Sequence, residues 1–410
     1  MPGNTGTVFR LSLLTLVGVC LFQLYDRPGS SVVSGSSGSM PKSHCPTTRS
    51  RQASSATFCT NLITLWSTHL LPSSSSFSVL IQPWCSTHTM SERPTQRAVR
   101  DSIHEIDDNS WLIGDHLKLS RQAQPLPGQP SWSDRNGAYF VLLKTAEPLP
   151  ESRPLSEACP LKKVYDAGEV SAVWHVGEAF VKVHKDCFPG ATREHVTIEH
   201  LHSRGPFSFS IPEVHHHSES GGRYYLVLSQ LPGQTLNSAW PGRDEKTKGK
   251  YVRRVADICK ELEAWTGPTM CGVDGRHVAD TCLANGKGSR DSPYDFTPQT
   301  LIANCKEIGM GCSSFHFYHC DLGPVNIIIN PATDSIRLID WEAAGFVPRE
   351  WIRTKYHSYS GHDLDFEDEM DWKNMEKRAD YRVRVGRRLA GIYPEFAHQW
   401  MAWWRSKQDT

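Results

Sequence analysis

The most constraining feature of this sequence is a pair of short apolar runs between Phe315 and Phe346, each bordered by polar residues. Ile327–Ile329 is apolar and β-branched, which predicts a buried strand, and Ile336–Ile339 predicts a second one. The residues between them, 330–334, combine Asn, Pro and Asp, which are typical of a turn. The stretch is therefore predicted to form a β-hairpin.

Three polar side chains stand at the open ends of this hairpin. Asp321 and Asn326 precede its first strand, and Asp340 follows its second. The ends of an antiparallel pair are adjacent, so the three side chains can converge. Their oxygen atoms suit a Mg²⁺ ion that also holds phosphate oxygens, and a carboxylate there can orient and deprotonate a hydroxyl. Polar residues that simply cap a hairpin would give the same pattern. Features elsewhere in the chain are therefore needed to distinguish a catalytic site from a hairpin cap.

The motifs themselves resemble those of a known superfamily. His319-Cys320-Asp321 with Asn326 reads H-x-D-x-x-x-x-N, and it is followed by Ile339-Asp340-Trp341-Glu342. This order resembles the catalytic core of the protein-kinase-like superfamily. It is more similar to the aminoglycoside phosphotransferase and choline kinase branch, in which the second motif often reads I-D-W-E or I-D-F-E. The flanking residues 345–351 also resemble fungal members of that family.

The resemblance implies a fold and a set of roles. The fold would be α+β and two-lobed, protein-kinase-like, with a small β-rich N-lobe and a larger, mainly helical C-lobe. Asp321 would be the catalytic base and His319 would brace its loop, while Asn326 and Asp340 would hold Mg²⁺. The implied cofactors are ATP and Mg²⁺.

Two strand-like runs, 170–175 and 178–184, precede these motifs and place a lysine among apolar residues. Lys182 matches the strand lysine that contacts nucleotide phosphates in the family, although an exposed strand lysine would read the same way. The next segment, Thr192–His202, has helical spacing. Within it Glu194 is the best match to the glutamate that pairs with the strand lysine, and Glu199 is its rival.

The predicted strand Tyr224–Leu228 ends in Ser229-Gln230-Leu231 and then Pro-Gly. By the resemblance, this is the hinge between the lobes, and backbone groups of Ser229, Gln230 and Leu231 would hold the adenine ring. The family's G-x-G-x-x-G string is missing. Residues 166–171 occupy its place, where backbone N–H groups could still cover phosphates.

Helical spacing predicts further helices over Thr247–Trp265, Thr300–Ile308 and Ile392–Trp404. The Gly-, Asp-, Ser- and Pro-rich residues 267–298 are interpreted as a long, partly ordered insert. Three consecutive histidines, 215–217, are interpreted as a polar strand end, because successive strand side chains point to opposite faces and cannot easily share one metal ion.

The acidic run Asp363–Asp371 comes where the family forms its acceptor pocket. Trp351, Trp372 and residues 367–371 are the candidates there, and acidic and aromatic side chains would favour a cationic acceptor. A solvated acidic helix start would give the same sequence.

Charge and cysteine content limit the alternatives. Lys+Arg and Asp+Glu are both 44, so the formal net charge is zero, which argues against a nucleic-acid binder. The 12 cysteines include no C-x-x-C pair and are interpreted as reduced thiols of a cytoplasmic environment, not as a disulfide framework or zinc site.

The predicted organisation is a leader at 1–90, an extension at 91–160, an N-lobe at 161–231 and a C-lobe at 232–405. The leader is Ser- and Thr-rich with a single acidic residue, Asp26. Its apolar run, 11–24, is too short and interrupted to predict a membrane-spanning helix. A secretory signal or anchor, an organellar transit segment and non-native sequence upstream of Met90 remain alternatives for a segment that is expected to be poorly ordered.

Taken together, the sequence predicts an ATP-dependent phosphotransferase that moves the γ-phosphate to a hydroxyl of a small molecule. The alternative is a catalytically inactive kinase-like module that binds nucleotide or serves as a scaffold. The missing Gly-rich string favours it, and the intact set of Lys182, Asp321, Asn326 and Asp340 argues against it. A metal phosphoesterase built on His319, Asp321 and residues 215–217 would lack the carboxylate-rich pattern of a two-metal site.

Overall fold

A six-stranded antiparallel sheet opens the part of the chain that the structure describes. The computed structural model describes residues 97–186, 188–286, 288 and 292–408, so the predicted leader lies outside the described residues. The strands of this first sheet all come from the predicted extension, in the spatial order β4-β5-β3-β2-β1-β6. They are β1 (Ile103–Asp107), β2 (Ser110–Ile113), β3 (Leu117–Gln122), β4 (Ser131–Ser133), β5 (Tyr139–Lys144) and β6 (Arg153–Pro154).

A second antiparallel sheet follows, with five strands in the order β10-β11-β9-β8-β7. Helix α1 (Glu194–Arg204) is inserted between β9 and β10. The predicted strands at 170–175, 178–184 and 224–228 are confirmed to within one residue at each end. The strands are β7 (Lys162–Asp166), β8 (Ser171–Val176), β9 (Ala179–Lys185), β10 (Val214–Ser220) and β11 (Arg223–Ser229).

The two sheets pack face to face around one apolar core. Its aromatic residues include Trp111 and Phe140 from the first sheet and Trp174 from the second. In β9, Val181 and Val183 belong to this core. Because strand side chains alternate, Lys182 between them points to the opposite face of the sheet. The first sheet therefore covers one face of the second and leaves the other to form a cleft.

The C-terminal lobe is mainly helical and has its own core, which is larger than that between the sheets. Two small three-stranded sheets lie within it, β12-β15-β16 and β13-β14-β17. The strands are β12 (Gln234–Thr235), β13 (Thr266–Gly267), β14 (Phe315–Tyr318), β15 (Ile327–Asn330), β16 (Ser335–Leu338) and β17 (Gly345–Val347). The helices are α2 (Leu236–Ala239), α3 (Glu245–Glu263), α4 (Pro298–Ile308), α5 (Arg349–Ser358), α6 (Glu369–Lys373), α7 (Met375–Leu389) and α8 (Ala397–Gln408).

The prediction of an α+β fold with a small β-rich lobe and a larger, mainly helical lobe is confirmed. One local prediction is wrong. The last helix begins at Ala397 instead of Ile392, because Pro394 lacks an N–H group and its ring disfavours a preceding helical turn. The predicted insert is well packed over its described part, where Met270 and Leu283 are fully buried.

Two features bear on the environment of the protein. No helix among the described residues is long and apolar enough to cross a membrane. The cysteines within the described ranges, such as the buried Cys259 and Cys320, form no disulfide.

Gly233 lies where the chain leaves the second sheet and passes against β15. Its φ is +138°, and a Cβ atom there would lie 2.5 Å from the carbonyl oxygen of Ile329. We expect Gly233→Ala to lower the free energy of unfolding by about 2 kcal/mol or more, because backbone strain and overpacking add. Chemical denaturation would measure the loss. The control is Gly222→Ala, because Gly222 also has a positive φ but no atom lies within 4 Å of an added Cβ. Equal losses of stability in both variants would contradict the argument from close packing.

Candidate active site

Lys182 is the centre of a buried ionic network at the cleft face of β9. Its Nζ atom donates to Glu194 Oε2 at 2.5 Å and to Asp340 Oδ1 at 2.8 Å. Burial alone would lower the pKa of Lys182, but the carboxylates of Asp340 and Glu194 outweigh it and raise the pKa well above its ordinary value. Glu199 is exposed. The structure thus selects Glu194 over Glu199 as the partner of the strand lysine.

The predicted hairpin is confirmed as β15 and β16, with Ile327 paired to Leu338. The strand ends are joined by a further bond from the Ile339 amide to the carbonyl oxygen of Asn326, at 3.1 Å. Asp340 follows directly, in a left-handed conformation with φ of 67° that Asp tolerates better than most residues. The hairpin therefore brings Asn326 and Asp340 to the same end, as the sequence predicts.

Asn326 holds Asp321 through its side-chain amide. Its Nδ2 atom donates to the backbone oxygen of Asp321 at 2.8 Å and to Oδ2 at 3.0 Å. The Oδ1 atom of Asn326 is buried, and no group among the described residues donates to it. Burial of an acceptor without a donor is costly. This orphaned oxygen is an observation in favour of a cation ligand at Asn326, and it fits the predicted magnesium site.

His319 links the loop of Asp321 to the segment before Asp340. Its Nδ1 atom accepts the Asp321 amide at 3.3 Å, so Nε2 carries the proton and donates to the carbonyl oxygen of Ile339 at 3.0 Å. Burial lowers the pKa of His319 to about 4, which keeps the ring neutral. The geometry is that of a brace, as the sequence predicts.

The side chain of Asp321 is largely buried. Burial raises the pKa of its carboxyl group to about 7, and the nearby cation Lys355 opposes this shift. Lys355 itself forms a buried ion pair with Asp280, at 2.8 Å between Nζ and Oδ2. Trp351, one helical turn before Lys355, donates its Nε1–H to the same oxygen at 2.7 Å. Sequence reasoning did not identify this cluster behind the loop of Asp321.

Trp351 is fully buried, so the prediction that it lines an open acceptor pocket is wrong. Trp372 is partly exposed, and the guanidinium of Arg378 stacks on its ring at 4.8 Å. The histidines 215–217 lie inside β10, where His215 stacks on Trp132 and His217 on His195. Their packing is that of strand side chains between neighbouring elements.

A cavity of about 310 Å³ opens on the cleft face of the second sheet. Lys182, Glu194 and Asp340 line it, together with the predicted hinge residues Ser229, Gln230 and Leu231. Its remaining apolar lining includes Val164, Val173, Phe180, Leu228, Ile328 and Ile339. The cavity thus has an apolar part next to the hinge and an ionic part at Lys182.

The hinge amides differ in what they can offer a ligand. The Ser229 N–H donates to Glu213 O at 2.9 Å, and the Gln230 N–H donates to Glu178 O at 2.8 Å. Within the described part of the chain, the N–H of Leu231 donates to no group. Of the three predicted hinge residues, only Leu231 therefore keeps its amide for a ligand.

The turn that stands in place of the Gly-rich string is tied to the extension. Gly168 has φ of +66°, its N–H donates to Asp166 Oδ1, and its carbonyl oxygen accepts the Arg100 amide at 2.9 Å. Lys163 bonds both Asp166 and the backbone of Arg100. The turn is thus held in place by contacts to Arg100 of the extension.

Glu342 is a second residue that sequence reasoning did not assign. Its carboxylate and those of Glu194 and Asp340 have oxygen atoms within 4.8 Å of one another, an arrangement that can hold a metal ion. The sequence did contain a signal for this role, because Glu342 stands two residues after Asp340 in the same motif.

The second sheet with its inserted helix, the hinge and the helical lobe with Asp321, Asn326 and Asp340 together define a two-lobed protein of the protein-kinase-like class. Residues 164–351, slightly less than half of the chain, match the model of the phosphotransferase enzyme family. The resemblance of this region to phosphotransferases, predicted from the motifs, is confirmed.

Solved structures give more distant similarities. An aminoglycoside phosphotransferase, APH(3'')-Id from Streptomyces rimosus ATCC10970, is 14% identical with a TM-score of 0.35, over 59% of this chain and 91% of that one. A type VIII aminoglycoside-3'-phosphotransferase is 17% identical with a TM-score of 0.36, over 60% and 93%. A search of curated proteins gave no significant match.

Proposed function

We propose that this protein transfers the γ-phosphoryl group of ATP to a hydroxyl group of a small molecule. The observation that carries the proposal is the position of Lys182 and Asp340 at the ionic end of a cavity that reaches the hinge. Asn326 lies at the same end of the hairpin as Asp340. The match of residues 164–351 to the phosphotransferase enzyme family model supports the reaction class.

The cavity suits a nucleotide in size and in chemistry. A mostly apolar pocket with a few converging polar groups is the usual form of a small-molecule site. The adenine ring would lie between the sheet and Ile328, with the Leu231 N–H as a donor to a ring nitrogen. The phosphates would extend toward Lys182, whose retained positive charge attracts them.

Asn326 and Asp340 would hold Mg²⁺, with Glu342 as a further oxygen donor near Asp340. When bound, the ion would supply charge neutralisation for the phosphate oxygens. Lys182 keeps the Asp340 carboxylate fixed through their hydrogen bond, so the position of this ligand does not depend on the ion.

Asp321 would accept the proton of the acceptor hydroxyl. The oxygen of that hydroxyl would form the new bond to the γ-phosphorus while the bond to the β-phosphate bridging oxygen breaks, and ADP would leave. Asn326 fixes the carboxylate through Oδ2, which orients Asp321 without consuming its capacity to accept a proton. Positioning and electrostatic stabilisation would supply most of the rate.

The acceptor is proposed to be a small molecule, and acidic groups favour a cationic one. Asp365, Phe366 and Glu367 line the same cavity as Lys182 and the hinge. The segment is anchored because Asn237 exchanges two hydrogen bonds with the backbone of Asp365, at 2.9 and 2.7 Å. Carboxylates and an aromatic ring at the cavity attract a cation through charge and cation–π contact.

The nucleotide site is testable by thermal shift with Mg²⁺–ATP on the full-length chain. At 100 times its Kd, a ligand adds about 2.7 kcal/mol to the free energy of unfolding. We expect a Mg²⁺-dependent rise in the unfolding temperature that Asp340→Asn removes, because the metal loses a charged ligand.

The matched control is Asp334→Asn at the tip of the same hairpin, which should keep the full shift. Asp334 is half-exposed and pairs with Lys250. An Asp340→Asn variant that retains the Mg²⁺-dependent shift would remove the metal assignment. A folded wild-type protein without any shift would favour the inactive scaffold alternative.

A further inference from the structure

His362 is a fully buried histidine close to the proposed catalytic loop. It ends a short 3₁₀ helix, Ser360–His362, which follows α5. Neither of its ring nitrogens has a hydrogen-bond partner among the described residues. A buried polar atom without a partner costs free energy, about 1–3 kcal/mol each. A ring buried in this way requires an explanation that packing alone does not give.

The polar group that faces this ring is the carboxylate of Asp321. The distance from His362 Nε2 to Asp321 Oδ1 is 3.8 Å, slightly longer than a hydrogen bond. The other carboxylate oxygen, Oδ2, is held by Asn326 at 3.0 Å. His362 therefore stands at the one oxygen of Asp321 that Asn326 does not hold.

The surroundings of the ring fix its position. The ring of Tyr356 lies 4.7 Å from that of His362, and the ring of Tyr359 lies 5.2 Å away, edge-on. Gly323 of the catalytic loop approaches this segment so closely that a Cβ atom would be 2.9 Å from Gly361 O and 3.4 Å from His362 Cδ2. The loop and the 3₁₀ helix are thus in direct contact, and a small closure would bring the two side chains within bonding distance.

We propose that His362 is a positioning residue for Asp321, donating its Nε2–H to Oδ1 when nucleotide and acceptor are bound. The inference rests on the proposed function, since Asp321 is a base only if the protein transfers phosphoryl groups. Catalytic hydrogen bonds are often long in unliganded sites and shorten in the loaded complex.

The imidazole acts as a neutral donor in this arrangement. Burial lowers the pKa of His362 well below its ordinary value, and the nearby cations Lys355 and Arg382 lower it further. With Asn326 on Oδ2 and His362 on Oδ1, the plane of the carboxylate is fixed by one donor on each oxygen. Each oxygen keeps a second lone pair, which leaves Asp321 able to accept the acceptor's proton.

The kinetic test compares His362→Phe with His362→Gln in the full-length chain. Phe fills the same space without a donor, whereas the Gln amide can reach the place of Nε2. We expect kcat of His362→Phe to fall about 10- to 100-fold, as for the loss of one hydrogen bond to a charged group. The nucleotide KM should stay within about 2-fold, because His362 does not line the cavity.

Stability separates positioning from packing. His362→Phe should unfold at the same temperature as the wild type or higher, because two buried unsatisfied nitrogens are removed. His362→Gln should recover part of kcat. A His362→Phe variant with wild-type kcat would overturn the proposal, and so would equal losses of kcat and stability in both variants.

A measurement without turnover separates this proposal from the proposed function. In ¹⁵N-histidine-labelled protein, NMR should report the Nε2–H tautomer for His362 and a shift of its resonances in Asp321→Ala. The resonances of His319, whose Nε2–H bonds to Ile339 O, identify any general disturbance of the loop. His362 resonances that do not respond to Asp321→Ala would overturn the contact, whether or not the protein phosphorylates an acceptor. If the His362 resonances shift in Asp321→Ala but the protein phosphorylates no acceptor, the contact between His362 and Asp321 is supported and the proposed function is wrong.

Discussion

Replacing Asp321 with Asn should lower phosphoryl transfer by about 10²- to 10⁴-fold, the range that a positioned general base contributes. The nucleotide should still bind, because Asp321 does not line the cavity that reaches the hinge. Asn has the same shape, and its side-chain oxygen can keep the hydrogen bond from Asn326. Steady-state kinetics with an acceptor, alongside titration of Mg²⁺–nucleotide, would measure the two effects separately.

Asp257→Asn, on an exposed position of α3, is the matched control and should leave both quantities unchanged. Asp321→Asn with full activity would exclude the role of base. Loss of both transfer and nucleotide binding, in a variant that unfolds at a lower temperature, would instead point to a structural role for Asp321.

The second large effect is expected at the buried pair of Asp280 and Lys355. Their side chains are 1% and 4% exposed. Asp280→Asn leaves the ammonium group of Lys355 buried without a counter-charge, and breaking a buried pair in this way costs about 3–5 kcal/mol. Chemical denaturation should show a loss of this size. Because Lys355 also acts on the pKa of Asp321, activity is not the readout here.

Two further variants make the comparison specific. The double variant Asp280→Asn with Lys355→Met removes both charges and should be more stable than Asp280→Asn alone. Asp371→Asn breaks an exposed pair with Lys377 and should change stability little. A double variant as unstable as the single one would mean that lost packing, and not the unpaired charge, causes the effect.

Much of the site could be predicted because its residues are fixed by local sequence. The hairpin follows from two β-branched runs with a turn between them, and pairing of Ile327 with Leu338 then brings Asn326 and Asp340 together. Lys182 faces the cleft because Val181 and Val183 on either side of it are apolar and face the core. The choice between Glu194 and Glu199 was not local, since both lie on the helix and only its docking angle decides which one reaches Lys182.

The position of the extension was also hard to predict, because it too depends on how separate elements pack together. Its strands alternate weakly, and nothing within residues 91–160 indicates which surface they cover. The structure shows that Trp111, Trp132 and Phe140 share a core with the second sheet. Arg100 of the same segment fixes the turn at Gly168, where the family's glycine string is absent.

The sequence by itself determined the order of the motifs, the strands and helices that carry them, and thereby the class of reaction. These depend on spacing along the chain, which the periodicity of strands and helices converts directly into position. The tertiary structure alone decided what surrounds Asp321. Asp280, Lys355 and His362 lie 34 to 41 positions from it in the sequence and reach it only because the helical lobe buries them together. Contacts of this kind are set by packing between elements, which local sequence patterns do not encode.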